Sequence, residues 1–177
     1  MDLTDLSLLI LQVGVGLTFA AHGAQKLFGW WDGPGMAGWQ AAIQHMGFRP
    51  ARLFAPLAAL LELGGGLLLA AGLLTPLVAA ALVAQAIVII GSVHWSNGFF
   101  SAHSGFEFPL LLGLGAAAVG LAGAGPFSAD ALIGLDVEPV VRVALILGGT
   151  VGGLVTMLLP RFGAAEAQVR PRQPSKP

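Results

Sequence analysis

Apolar residues form long runs along most of the chain, and the few charged residues lie between these runs. A helix that crosses about 30 Å of hydrocarbon needs about 20 mostly apolar residues. Five runs approach that length and predict membrane-spanning helices over residues 6–27, 53–74, 77–93, 108–122 and 140–159. Between the second and third runs, Gly72, Thr75 and Pro76 suit a helix C-cap, the next N-cap and its first turn. The pattern therefore predicts an all-α membrane protein.

The composition narrows the class of protein further. Of the 177 residues, 56% are hydrophobic and only 10% are charged, whereas a soluble domain carries about 25% charged residues. The formal net charge is −1, so we expect contact with the lipid bilayer and no binding of nucleic acid, which requires a basic surface. The chain contains no cysteine, which excludes disulfides, thiol redox chemistry and metal sites held by cysteine.

Basic residues predict the orientation, because the cytoplasmic segments of membrane proteins are enriched in Lys and Arg. If the fifth run spans the membrane, an N-terminus outside and a C-terminus in the cytoplasm put seven of the eight basic residues on the cytoplasmic side and leave only Arg142 outside. Those seven are Lys26, Arg49, Arg52, Arg161, Arg170, Arg172 and Lys176. A fifth helix lying at the interface is the alternative, and it would reverse the placement of the C-terminal tail. The last segment, residues 161–177, is polar and rich in proline, which predicts a disordered cytoplasmic tail.

Ionisable residues in the spans are the first candidates for function. Glu62 lies near the middle of the second span, where an ionisable group is costly and normally faces the interior of the bundle. Small residues three and four positions away on the same helical face predict that Glu62 points into a contact between helices. The predicted topology also brings further ionisable residues to one leaflet from separate stretches of the chain: His22, Lys26, His94, His103 and Glu107.

Most of these residues also have a structural interpretation. Lys26 suits a cation that anchors the end of a span at the membrane surface, Glu107 suits a helix N-terminus, and His103 suits a solvated loop. His22 and His94 suit hydrogen bonds between helices. Their spacing favours neither a metal site nor the axial ligation of haem, so we predict no metal site and do not expect haem.

Two further patterns concern packing. The segment after the first span predicts a short amphipathic helix at the membrane interface and an aromatic belt, because its apolar residues recur at helical spacing: Met36, Trp39, Ile43 and Met46, with Trp30 and Trp31 before them. In the last span, small residues are spaced four apart, which predicts close packing within the chain or with a second copy as a homo-oligomer: Gly148, Gly149, Gly152 and Gly153.

The order of several motifs resembles that of the DoxX family of small bacterial and archaeal membrane proteins. The end of the first span, residues 16–29, is similar to the opening signature of that family. Further matches follow in the usual order, which extends the resemblance over residues 6–130: Gly47-Phe48, Glu62 with Gly65-Gly66, Gly72 to Thr75, His94, Gly98 to Phe100, Gly105 to Glu107 and Gly125 to Asp130.

The resemblance implies a four-helix transmembrane bundle over residues 1–135, to which this chain adds a fifth transmembrane helix over residues 136–160. It also implies a place in the bacterial or archaeal cell (inner) membrane. Some members of the family are associated with respiratory or sulfur-oxidation enzymes that pass electrons to quinone, and others with partners in oxidative-stress defence. A membrane or peripheral protein partner is therefore expected.

From this resemblance we expect a small subunit or accessory protein of a membrane redox system that interacts with quinone or quinol. The expected hydrogen-bonding or proton-transfer residues are Glu62, His22 and His94, and the expected binding residues are Lys26, Glu107 and His103. If the chain takes part in catalysis, it would do so as part of a quinone-linked oxidoreductase. The alternatives are a non-redox scaffold that docks another protein and a small transport protein in which Glu62 lines the path.

Overall fold

The computed structural model describes the backbone of residues 2–169 and the side chains of residues 2–158. Within this part of the chain the regular structure is helical, as the sequence predicts. The helices are α1 (Leu3–Phe28), α2 (Gly35–His45), α3 (Ala51–Ala71), α4 (Thr75–Asn97), α5 (Glu107–Ala122), α6 (Ala129–Leu132) and α7 (Pro139–Val169).

Among the described residues, α1, α3, α4 and the Pro139–Leu158 part of α7 are long and apolar enough to cross a membrane. Helix α5 is shorter, at 16 residues, but equally apolar along its length. These helices confirm a multi-pass membrane protein. Helix α2 is the short amphipathic helix predicted after the first span.

Helices α1, α3, α4 and α5 form a bundle, because α1 packs against α3 and α5, and α4 packs against α3 and α5. Close contact between α1 and α3 depends on glycine. A side chain at Gly16 would meet the backbone of Ala70, and one at Gly66 would meet the backbone of Ala20. In a bilayer, where apolar burial gives no advantage over lipid contact, such close backbone packing stabilises helix pairs.

Helix α7 packs on the outside of the bundle, chiefly along α4. Gly149 and Gly153 face the backbone of α4, whereas Gly148 and Gly152 have open space beside them. One half of the predicted small-residue pattern therefore serves packing within the chain. The proposed homo-oligomer contact through the other half stays a prediction.

The C-terminal boundary of α7 differs from the sequence-based expectation. The sequence predicts that Pro160 ends the helix, but the backbone is helical to Val169. Proline removes one backbone hydrogen bond without obligatorily ending a helix. Of the tail predicted over residues 161–177, the segment from 170 to 177 lies outside the described residues.

At the α3–α4 hairpin, the predicted C-cap is confirmed, and Gly72 has a left-handed conformation with φ of 66°. The predicted N-cap role of Thr75 is wrong. The N–H groups of Leu74 and Thr75 instead donate to the carboxylate of Asp130, at 2.7 and 3.0 Å. A residue 55 positions away in sequence therefore supplies the acceptors that a helix N-terminus needs.

Candidate functional site

Glu62 is buried where three helices meet, with 1% of its surface exposed. Both carboxylate oxygens of Glu62 accept hydrogen bonds from Lys26 of α1, and Oε1 also accepts one from Nε2 of Gln85 in α4, at 3.1 Å. The Glu62 carboxylate is therefore paired with a cation and further satisfied by an amide, which is what a charged group at this depth requires.

Glu62 lies in a π-helical turn, Leu61–Gly65, within α3. A second π-helical turn, Ile90–His94, ends at His94 in α4. Such turns widen the helix locally and frequently occur at functional sites. The sequence shows no pattern that predicts either turn.

Lys26 points into the bundle, and only 14% of its side chain is exposed. Besides the ion pair with Glu62, its Nζ lies 4.3 Å from the centroid of the Trp39 ring, in a cation–π contact. The ring of Trp39 is held by a hydrogen bond from its Nε1 to the carbonyl of Ala55, at 3.0 Å. The sequence allows Lys26 to be a surface anchor and Trp39 to belong to an aromatic belt, whereas the structure places both at the buried site.

Beside the ion pair is a cavity of about 440 Å³, here called the Glu62 cavity. Four ionisable residues lie on its wall: His22, Lys26, Glu62 and His94. The rest of the wall is mainly apolar and comes from α1, α2, α4, α5 and the turn before α5, including Phe19, Trp39, Ile89, Phe108 and Leu112. Ser101 and Ser104 of that turn are its other polar residues. A concave apolar site of this size with a few converging polar groups is typical of a ligand pocket.

The two histidines on the wall have different environments. Nδ1 of His94 lies 2.6 Å from the carbonyl oxygen of Ser104. Because that oxygen can only accept, Nδ1 carries the proton, and in the neutral ring Nε2 is left as an acceptor. The ring of His22 packs against the ring of Phe108, with centroids 5.5 Å apart.

The other two predicted site residues lie outside the wall of the cavity. Oε2 of Glu107 accepts a hydrogen bond from the backbone N–H of Ser101, at 3.0 Å, and so holds the short turn before α5. His103 is exposed on the same turn. The structure thus brings together four of the six predicted residues and separates these two from them. In the described part of the chain, no three His, Asp or Glu side chains form a group that could hold a metal ion.

The sequence analysis does not identify two residues of the site, Gln85 and Trp39. Gln85 is the one amide side chain of α4 between Thr75 and His94. An amide in an otherwise apolar span indicates a polar contact inside the bundle. The sequence predicts Trp39 at the membrane interface, because tryptophan is common there. Only the packing of α2 against α1 and α3 places Trp39 over Lys26.

The site combines donors and acceptors on one side of an apolar space. Lys26 and a ring N–H of His22 can donate, whereas Glu62, the unprotonated nitrogen of His22 and Nε2 of the neutral His94 ring can accept. The net charge of the Lys26–Glu62 pair is zero, so the site is suited to a neutral ligand that has a hydrogen-bonding head and an apolar body.

The DoxX family model matches residues 7–95, which include α1 to α4 up to Trp95 and therefore His22, Lys26, Glu62 and His94. No curated protein and no solved structure matches the chain.

Proposed function

The chain belongs to the DoxX family, and we propose from the geometry of its Glu62 cavity that it is a small subunit or accessory protein of a membrane redox system. We propose further that the cavity binds the headgroup of a quinone or quinol. The observation that carries this proposal is the buried ion pair, together with two histidines, on the wall of an apolar cavity.

The donors and acceptors on the wall fit both forms of such a headgroup. Quinone carbonyl oxygens accept hydrogen bonds, which Lys26 and a ring N–H of His22 can donate. Quinol hydroxyl groups also donate, and Glu62 and Nε2 of the neutral His94 ring can accept from them. A bound quinone supplies two-electron, two-proton carrier chemistry. The residues of this chain bind and orient it, and His22, His94 and Glu62 are placed to hold protons at its oxygens.

The apolar part of the cavity supports the same assignment. Phe19, Phe108 and Leu112 line it, and they offer flat and aliphatic surfaces to a ring. Preformed pockets of this kind keep water away from the ligand, which strengthens the few hydrogen bonds that fix its orientation.

The test is quinone binding to the purified chain in lipid nanodiscs, measured with a short-chain ubiquinone and a menaquinone analogue. We expect Glu62→Gln to weaken binding about tenfold, because a lost charge-assisted hydrogen bond is worth about 1.4 kcal/mol or more. Asp136→Asn is the matched control. Asp136 belongs to the ion pair with Arg142 and is 89% exposed at the other end of the bundle. The quinone affinity of the Asp136→Asn variant should therefore equal that of the wild-type chain.

Absence of binding by the wild-type chain would overturn the proposal and favour the non-redox scaffold. Equal binding by the wild-type chain and Glu62→Gln would overturn the assigned role of the ion pair. Quinol oxidation by the chain together with its co-purifying partner, lost in Glu62→Gln and kept in Asp136→Asn, would support the redox role.

We propose the bacterial or archaeal cell membrane as its location, with the N-terminus outside and the C-terminus in the cytoplasm. Arg49 and Arg52 support this orientation, since both are exposed at the end of the bundle that contains the Glu62 cavity. The cavity would then open near the cytoplasmic leaflet.

A further inference from the structure

A second cavity, of about 240 Å³, lies beside the first and is here called the Met46 cavity. Its wall comes from α2 and the turn after it, α3, α4 and α7, and includes Ile43, Met46, Phe48, Phe54, Leu57 and Val88. Among the described residues that line it, none is charged and only Gln85 and Thr156 are polar. The Thr156 hydroxyl donates to the carbonyl of Gly152 at 2.8 Å, so the cavity presents a mainly apolar surface.

Only a thin layer of side chains separates the two cavities. Trp39, Ile89 and Val93 line both of them. Gln85 lines the Met46 cavity, yet its Nε2 lies 3.1 Å from Oε1 of Glu62, which lines the other cavity. The polar groups of the site therefore lie directly beside an apolar chamber.

Trp39 is the fixed part of this layer. Its Nε1 is tied to the carbonyl of Ala55, and its ring carries Lys26 on one side. The remaining shared residues, Ile89 and Val93, are aliphatic side chains of α4 without such hydrogen bonds to hold them. A ligand that spans both cavities would therefore lie beside Trp39 and contact Ile89 and Val93.

We propose that the Met46 cavity binds the isoprenoid or alkyl chain of the quinone whose headgroup occupies the Glu62 cavity. This inference rests on the proposed function and adds a subsite to it. Membrane quinones carry such a chain next to the ring, and an uncharged apolar chamber beside the polar groups is matched to it. The same arrangement gives α7 a role at the site, because α7 contributes to the wall through Thr156.

The experiment fills the chamber and leaves the headgroup site intact. Ala58 and Ala81 line the Met46 cavity from α3 and α4, and each is replaced separately as Ala58→Leu and Ala81→Leu. The matched control is Ala118→Leu, because Ala118 is exposed on the outer face of α5. The affinities of a tailless quinone and of a decyl-chain quinone are measured for each variant in the same nanodiscs, so that partition of the chain into lipid cancels between variants.

We expect both cavity variants to weaken binding of the decyl-chain quinone about tenfold, because the added leucine side chain occupies the space of the decyl chain. The affinity of both variants for the tailless quinone and both affinities of the Ala118→Leu control should be unchanged. An unchanged ratio of the two affinities in both cavity variants would overturn the subsite while the tailless quinone still reports on the proposed function. If neither quinone binds the wild-type chain, the proposed function itself fails.

A second measurement does not depend on how well the variants fold. A decyl-chain quinone with a photoreactive diazirine at the end of its chain is crosslinked to the wild-type chain, and the labelled residues are mapped by mass spectrometry. Labelling of Met46 and Val88, which line the Met46 cavity and are only partly exposed, supports the subsite. Labelling confined to lipid-facing residues such as Leu60 and Leu67 overturns it and shows that the chain of the quinone stays in the bilayer.

Discussion

At the scale of single residues, the ion pair between Lys26 and Glu62 explains how a carboxylate is accommodated inside the bundle. Glu62 lies well within α3, and Lys26 lies close to the end of α1. They meet because α1 and α3 approach closely, with Gly23 against the backbone of Leu63. The long Lys26 side chain covers the remaining distance, and the carboxylate accepts from a cation and an amide at once.

Removing one partner should be more harmful than removing both. Lys26→Met and Glu62→Gln each leave a buried polar or charged group unpaired, which costs about 3–5 kcal/mol when a single charge remains. The double variant leaves no isolated charge, so we expect it to be more stable than the sum of the two losses predicts. Thermal or denaturant unfolding in detergent provides the double-mutant cycle. Strictly additive losses would contradict a direct pair.

At the scale of helices, the site depends on how α1 and α3 pack and on two departures from regular α-helix. Gly16 and Gly66 remove side chains where the two helices cross, which brings Glu62 within reach of α1. The π-helical turns around Glu62 and His94 lie on neighbouring helices that both face the Glu62 cavity. Packing and helix irregularity thus place two candidate residues on one wall.

The glycine packing can be tested with two neighbouring positions of α3. A side chain at Gly66 would meet the backbone of α1, whereas the space beside Gly64 is open. We expect Gly66→Ala to lower the free energy of unfolding by about 1–3 kcal/mol, since overpacking forces the helices apart. Gly64→Ala should change stability by less, because alanine only adds helix propensity there. A Gly66→Ala variant as stable as Gly64→Ala would contradict the close α1–α3 contact.

At the scale of the whole molecule, the two ends of the bundle differ in character. One end contains the Glu62 and Met46 cavities, with the exposed Arg49 and Arg52 nearby. The other end contains Asp130, which caps α4, and Arg142, which donates to Asp136 and to the carbonyls of Ala122 and Val137. The hydrogen bonds of the second end serve the fold, whereas the Lys26–Glu62 ion pair and two histidines of the first end line the Glu62 cavity.

The absence of cysteine from the sequence makes the proposed orientation directly testable. Single cysteines are placed at His103, exposed at the cavity end, and at Leu132, which is 88% exposed at the hairpin end. A membrane-impermeant maleimide should label Leu132→Cys on intact cells and His103→Cys only after permeabilisation. Both should react in detergent, and the reverse pattern on intact cells would overturn the orientation.

The sequence by itself determined the class of the protein, its spans and most of the candidate residues. Long apolar runs fix a membrane-spanning helix almost regardless of context, because every backbone polar group in hydrocarbon must be satisfied within the helix. A charged residue in such a run has a high free-energy cost, so the sequence alone identifies Glu62 as a candidate functional residue.

Only the tertiary structure decided which groups meet. Whether Lys26 points to the membrane surface or inward depends on the crossing of α1 and α3, and the contribution of Trp39 depends on the docking of α2. Asp130, rather than Thr75, caps α4 because the short helix α6, distant in sequence, lies against the hairpin. These contacts join residues far apart in sequence, so helical periodicity and local propensity contain no information about them. The cavities between the helices arise in the same way.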